Sequence, residues 1–95
     1  MTSWAEHHAE LSAADDVVSR RLEDEVVLVN LRSNRIFSLN RTGARYWELL
    51  LGGNRRAEIA QQLAREFGVE PDEVAKEIDK LEQELVSEGL VTETV

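Results

Sequence analysis

The sequence predicts a single α+β domain in which a three-stranded antiparallel sheet precedes three helices. Residues 17–39 are rich in β-branched side chains and are divided by two short polar turns, a pattern typical of a meander of strands. From residue 40 onward apolar residues recur at helical spacing, and glycines separate the segments. Because every predicted strand comes before every predicted helix, the order favours α+β over alternating α/β architecture.

The three predicted strands differ in polarity. Residues 17–22 mix β-branched and polar side chains, as a strand with one exposed face does. Residues 26–31 are almost continuously apolar, which predicts the central strand. Residues 35–39 alternate and are predicted to form a short edge strand, with Phe37 and Leu39 on one face and Ile36 on the other.

The predicted helices are marked by their starts and stops. Asn40 can cap the first helix, and Asn54 is the candidate cap of a second helix over about residues 55–67. Pro71 suits the first position of the third helix, and the acids that follow it favour the positive helix end. Gly89 ends that helix, and residues 90–92 follow as a short extended tail. The third helix carries an apolar stripe at Val74, Ile78, Leu81 and Leu85.

Length and composition limit the number and kind of domains that the chain can form. The 95 residues suffice for one core, and we predict a flexible N-terminal arm over residues 1–14 and one domain over residues 15–95. The chain has no cysteine, which excludes disulfides and thiolate sites. It has no apolar run of the roughly 20 residues that span a bilayer and no signal-peptide pattern at its start, so we expect a cytoplasmic protein with no membrane partner.

The net charge of −8 is concentrated at the C-terminal end. Residues 66–95 hold ten acids against two lysines, whereas residues 1–65 hold nine acids and nine bases. The third helix occupies the place of the reading helix of a helix-turn-helix. Phosphate neutralisation supplies most nucleic-acid affinity, so an acidic helix there argues against a nucleic-acid partner.

Several short motifs occur in a specific order. Residues 40–50 read Asn-Arg-Thr-Gly-Ala-Arg-Tyr-Trp-Glu-Leu-Leu, and a Gly-Gly break follows. Ala-Glu-Ile-Ala at residues 57–60, Phe-Gly-Val at 67–69 and Gly-Leu-Val at 89–91 come after it. Together they resemble the PqqD-like family, the recognition elements of ribosomally made, post-translationally modified peptides. The resemblance covers about residues 17–91.

The resemblance implies a winged helix-turn-helix-like fold that binds the leader segment of a precursor peptide. In such proteins the leader adds as a strand to the sheet edge and lies against the third helix, which is β-augmentation. Asp72, Asp79 and Glu82 would stand along the flank of that helix, as rim carboxylates that steer the leader. The candidate peptide-binding residues are Arg35, Ile36, Phe37, Ser38, Leu39, Val74, Ala75, Ile78, Asp79, Leu81 and Glu82.

The resemblance also implies a non-catalytic role with two partners. The protein would capture the leader and present the precursor to a leader peptidase or another modifying enzyme, with lasso peptide biosynthesis favoured. A PqqD-type chaperone in pyrroloquinoline quinone biosynthesis and a winged-helix DNA-binding regulator remain as alternatives. A homodimer through the edge strand is also open, because an unprotected edge can pair with its own copy.

The residues themselves give no sign of an enzyme. The serines lack a nucleophile-elbow context, and the only histidines, His7 and His8, lie in the predicted arm. Adjacent histidines without carboxylate or thiolate partners at ligand spacing are weak support for a metal site. We therefore expect no catalytic residue, no metal and no cofactor.

Overall fold

The computed structural model describes residues 10–93 and contains the predicted strands followed by the predicted helices. The α+β fold class is therefore confirmed, with two short strands added to it. The strands are β1 (Leu11–Ala13), β2 (Val17–Leu22), β3 (Glu25–Asn30), β4 (Arg35–Leu39) and β5 (Val91–Glu93). The helices are α1 (Arg41–Leu51), α2 (Arg56–Phe67) and α3 (Pro71–Ser87).

The main sheet has the order β2-β3-β4 and is antiparallel throughout. The most apolar strand, β3, is central, as its sequence predicts. Val26, Leu28 and Asn30 of β3 are buried against the helices, whereas Val27 and Val29 are half-buried on the outer face. The sheet therefore packs its helices on one face only and leaves β2 and β4 as its two edges.

The remaining strands, β1 and β5, form a separate antiparallel pair. Leu11 of β1 and Val91 of β5 are both buried, so this pair closes one side of the core. β1 lies within residues 1–14, where the sequence predicts a flexible arm, and β5 overlaps the predicted extended tail. A strand of three residues is too short to show a period, so sequence patterning cannot detect it. His7 and His8 lie outside the described residues.

The predicted start of each helix lies within a residue or two of the observed one, but the predicted cap of α2 is wrong. The Asn40 side chain accepts a hydrogen bond from the Gly43 backbone N–H at 3.0 Å, which confirms the cap of α1. Asn54 does not cap α2, because its amide donates to the Leu49 carbonyl at 2.9 Å. The N-cap of α2 is Arg55, whose backbone N–H donates to the Glu58 carboxylate at 2.8 Å.

The junction between β4 and α1 is tight. A β-carbon added to Gly43 would lie 3.3 Å from the Leu39 side chain, which is closer than ordinary van der Waals contact. Glycine at this position therefore lets the first turn of α1 approach the end of β4. The close approach fixes the direction in which the chain leaves β4 and enters α1.

The core lies between the inner face of the main sheet and the three helices. Its fully buried members include Leu28, Tyr46, Ile59, Leu63 and Leu85. Trp47 is also buried at 2% exposure, as expected for an aromatic residue among leucines in an amphipathic helix. Among residues 10–93, no helix is both long and apolar enough to cross a bilayer.

Candidate functional site

A groove with a volume of about 550 Å³ lies between β4 and α3. Phe37 and Leu81, both half-buried, stand on its strand side and its helix side. The residues of its floor are buried and, apart from one tyrosine, apolar. The floor is formed by the side chains of Leu39, Tyr46, Leu63, Val74 and Ile78.

The direction of the backbone groups in β3 determines which groups of β4 remain free. The Leu31 N–H, directly after β3, donates to the Asp16 carbonyl just before β2 at 2.8 Å. Backbone groups alternate in direction along a strand, so the odd-numbered residues of β3 point toward β2. Its even-numbered residues therefore point toward β4, where Leu28 lies opposite Phe37.

The backbone groups at the free edge of β4 are consequently those of Ile36 and Ser38. Phe37 and its alternate neighbours use their backbone groups in the ladder with β3. The N–H and C=O groups of Ile36 and Ser38 point away from the sheet, on the side where the groove opens. The Ile36 side chain is 69% exposed and lies on the outer sheet face, whereas Phe37 lines the groove. This confirms the predicted alternation of side chains along β4.

The helical rim of the groove is acidic. Glu73, Glu77 and Glu84 of α3 line it together with Lys80, and all four side chains are exposed. Three carboxylates against one ammonium give this wall a net negative charge. The rim therefore disfavours a phosphate backbone and favours basic or neutral groups.

An ion pair joins the start of β4 to the residue that follows α3. The Arg35 guanidinium lies 3.0 Å from the carboxylate of Glu88, directly after α3. The Asn30 amide also donates to the Glu88 carbonyl at 3.0 Å. These contacts tie the C-terminal end of α3 to the hairpin between β3 and β4.

The structure brings together six of the predicted binding residues as groove lining: Phe37, Ser38, Leu39, Val74, Ile78 and Leu81. Four others lie nearby without lining it. Arg35 and Ile36 belong to the same strand, Ala75 is exposed on α3, and Asp79 is half-buried and accepts a hydrogen bond from Gln83 at 3.3 Å. A direct contact between any of these ten residues and a peptide stays a prediction.

Glu82 does not stand at the rim, contrary to the prediction. Its side chain is 1% exposed and points into the core. One carboxylate oxygen accepts a hydrogen bond from the Tyr46 hydroxyl group at 2.6 Å, and the other accepts one from the Arg56 Nε at 2.7 Å. The helical period places position 82 beside Ile78 and Leu85, but it cannot show that a carboxylate is accepted there, because the partners come from two other helices.

The surroundings of Glu82 shift the protonation equilibria of the buried pair. Burial raises the pKa of the Glu82 carboxyl group above its ordinary value, and the hydrogen bonds from Tyr46 and Arg56 oppose that rise. Burial and the nearby negative charge of Glu82 raise the pKa of Tyr46 well above its usual range. Tyr46 therefore keeps its proton at neutral pH and acts as a donor.

Sequence reasoning missed the parts of the groove that come from α1, α2 and the exposed face of α3. Tyr46, Leu63 and Phe67 belong to helices whose apolar residues look like ordinary core. A usable signal exists for the rim, since Glu73, Glu77, Lys80 and Glu84 recur at steps of three and four residues beside the apolar stripe. Within residues 10–93, no group of three or more potential ligands is placed to hold a metal ion.

Comparisons with known proteins agree on the family and on the architecture. The family described as Coenzyme PQQ synthesis protein D (PqqD) matches residues 25–91. The structure of TbiB1 in complex with the TbiA(beta) leader peptide is 31% identical in sequence, with a TM-score of 0.84, and the match covers 88% of this chain and 98% of that one.

A second structure, described as lasso peptide synthetase B1 complexed with the leader peptide, is 28% identical in sequence. It has a TM-score of 0.80, and the match covers 88% of this chain and 99% of that one. A search of the curated proteins gives no match. Both similar structures therefore come from leader-peptide complexes and match this chain over nearly their whole length.

Proposed function

The chain belongs to the PqqD family, and we propose that it is a peptide-binding protein that captures the leader segment of a ribosomally made precursor peptide. The observation that carries the proposal is the free edge of β4 beside an apolar groove. It is supported by the similarity to two proteins that the chain matches over nearly their whole length and whose structures are complexes with leader peptides.

The leader binds by β-augmentation of β4. Its main chain pairs with the outward N–H and C=O groups of Ile36 and Ser38, which supply affinity without regard to sequence. Alternate leader side chains then point into the groove toward Leu81, and these positions supply selectivity. The acidic rim steers the approach and register of the leader more than it adds affinity.

The second partner in this proposal is an enzyme that acts on the captured precursor. The protein itself is non-catalytic and presents the precursor to a leader peptidase or another modifying enzyme. Both similar structures are leader-peptide complexes, and one is a lasso peptide synthetase component, which favours lasso peptide biosynthesis over pyrroloquinoline quinone biosynthesis. The acidic groove rim gives no support to DNA binding.

The proposal predicts micromolar or tighter binding of the leader encoded beside this gene, which corresponds to about −8 kcal/mol or more favourable. Fluorescence anisotropy of a labelled synthetic leader, titrated with the purified protein, measures the affinity. A scrambled leader of the same composition is the control and is expected to bind at least about tenfold more weakly, since it keeps the backbone bonds but not the side-chain pattern. Equal affinity for the two peptides, or no binding to the native leader, would overturn the proposal.

A homodimer through β4 would occupy the same edge as the leader. If the free protein dimerises in this way, its apparent affinity for the leader falls as the protein concentration rises, because the two events compete. Sedimentation velocity with and without leader detects this competition. A dimer that persists when the leader is saturating contradicts pairing through β4.

A further inference from the structure

We propose that Glu82 is a positioning residue for leader binding, because its buried carboxylate ties α1 and α2 to α3 and so sets the floor and the helical wall of the groove. The inference rests on the proposed function, since it concerns how the groove is held ready for the leader. It assigns Glu82 a role behind the groove in place of one at its rim.

The contacts of Glu82 reach each of the three helices. The carboxylate extends from α3, accepts from the Tyr46 hydroxyl group of α1 at 2.6 Å, and accepts from Arg56 in the first turn of α2 at 2.7 Å. Tyr46 is also part of the groove floor. Leu81, the residue before Glu82, lines the helical wall. A rotation or shift of α3 that displaces Leu81 therefore also breaks the bonds to Glu82.

Apolar packing alone defines the rotation of α3 less sharply. Three of the four buried residues of α3 are apolar: Val74, Ile78 and Leu85. Apolar burial is non-directional, whereas a hydrogen bond weakens steeply when its geometry changes. Glu82 is the polar member of the four, so it supplies a directional constraint within the buried face of the helix that forms the groove wall.

The burial of a carboxylate is not explained by stability alone. Replacing a buried ion pair with apolar residues of similar volume is often neutral or stabilising. Apolar residues in place of Glu82 and both its partners could serve the core at least as well, but apolar packing would leave α3 free to settle in other rotations. The polar network therefore contributes a single, defined shape of the groove.

The network also has an outer member in the segment before β1. The Glu10 carboxylate accepts a hydrogen bond from the Arg56 backbone N–H at 2.7 Å, and its second oxygen lies 3.8 Å from the Arg56 side chain. The charged and titratable groups around Glu82 are therefore Tyr46 from α1, Arg56 from α2 and Glu10 from that segment.

The test compares leader affinity among variants with matched losses of stability. Glu82→Gln keeps the shape of the side chain and removes its charge, and Tyr46→Phe removes one donor. Each is expected to weaken leader binding about tenfold, which is the scale of one hydrogen bond to a charged group. The double variant is expected to lose less affinity than the product of the two single losses, because both changes act on the same hydrogen-bond network.

The control is Ile59→Val, a core change on α2 outside both the groove and the network. It lowers the melting temperature through lost packing and is expected to leave leader affinity unchanged. Circular dichroism and thermal melts confirm that each variant is folded at the temperature of the binding assay. If Glu82→Gln does not fold, the comparison of Tyr46→Phe with Ile59→Val decides the question by itself.

The pH profile separates positioning from a general loss of stability. Protonation of Glu82 makes the native side chain resemble glutamine, so the affinity ratio of native protein to Glu82→Gln is expected to shrink toward one as the pH falls and Glu82 takes up a proton. The raised pKa of Glu82 brings that change to a higher pH than for an ordinary glutamate. The ratio for Ile59→Val stays constant over the same range.

The outcomes distinguish this inference from the proposed function. If the native protein binds no leader, the proposed function fails. If the native protein binds but Glu82→Gln and Tyr46→Phe bind equally well, Glu82 has no positioning role and the proposed function stands. If Ile59→Val loses leader affinity to the same extent, the losses in the other two variants reflect reduced stability of the domain. That result would also overturn the inference.

Discussion

Replacing Ser38 with proline is expected to weaken leader binding at least about thirtyfold while leaving the domain folded. The Ser38 N–H points to the free edge of β4, so proline removes a donor that the fold does not use. The lost bond costs about 1 kcal/mol, and a leader carbonyl left without a donor costs about 1–3 kcal/mol more. Fluorescence anisotropy measures the loss of affinity, and circular dichroism verifies the fold.

Ser19 provides a matched control on the opposite edge of the same sheet. It lies in β2 opposite Leu28, a residue whose backbone groups point toward β4, so the Ser19 N–H also points outward. Ser19→Pro is therefore the same chemical change at an equivalent backbone position, away from the groove. We expect it to fold and to bind the leader with native affinity. If Ser38→Pro and Ser19→Pro behave alike, the leader does not pair with β4.

The parts of the fold set by local chemistry could be predicted from the sequence. The apolar run of β3 placed that strand at the centre of the sheet, and the side chain of Asn40 marked the start of α1. The alternation along β4 also separated Phe37 from Ile36 correctly. Each of these features depends on a period or a cap contained within a few neighbouring residues.

The features that depend on distant partners could not be predicted. The pairing of β1 with β5 joins residues about eighty positions apart in the sequence, and neither strand is long enough to show a pattern. Glu82 occupies a buried position on α3, and only the approach of Tyr46 and Arg56 makes a carboxylate acceptable there. The sequence contains both partners but does not show that they meet.

The acidic character of α3 divides into two roles in the structure. Glu73, Glu77 and Glu84 face the groove at its exposed rim, whereas Glu82 is buried behind it. The same excess of charge that argues against DNA thus includes carboxylates that a leader can meet and one that it cannot. Exposed carboxylates at a rim affect association rate and salt dependence, so affinity must come mainly from the β4 edge and the apolar floor.

Placing a charge on the apolar wall is therefore expected to have an effect as large as blocking the edge. Leu81→Glu introduces a carboxylate between Glu77 and Glu84, on a surface that a leader side chain would cover. Covering an unpaired charge is costly, and truncating a central contact already costs about 2 kcal/mol or more. We expect leader affinity to fall at least about thirtyfold, measured by fluorescence anisotropy.

Val86 supplies the control for this change because it lies on the same helix, is 40% exposed and does not line the groove. Val86→Glu adds the same charge to α3 at a distance from the leader, so it tests whether net charge alone weakens binding. If Val86→Glu binds the leader with native affinity and Leu81→Glu binds it weakly, the leader side chains lie over the α3 wall. Equal losses in the two variants at high salt, where long-range repulsion is screened, would place the leader elsewhere on the domain.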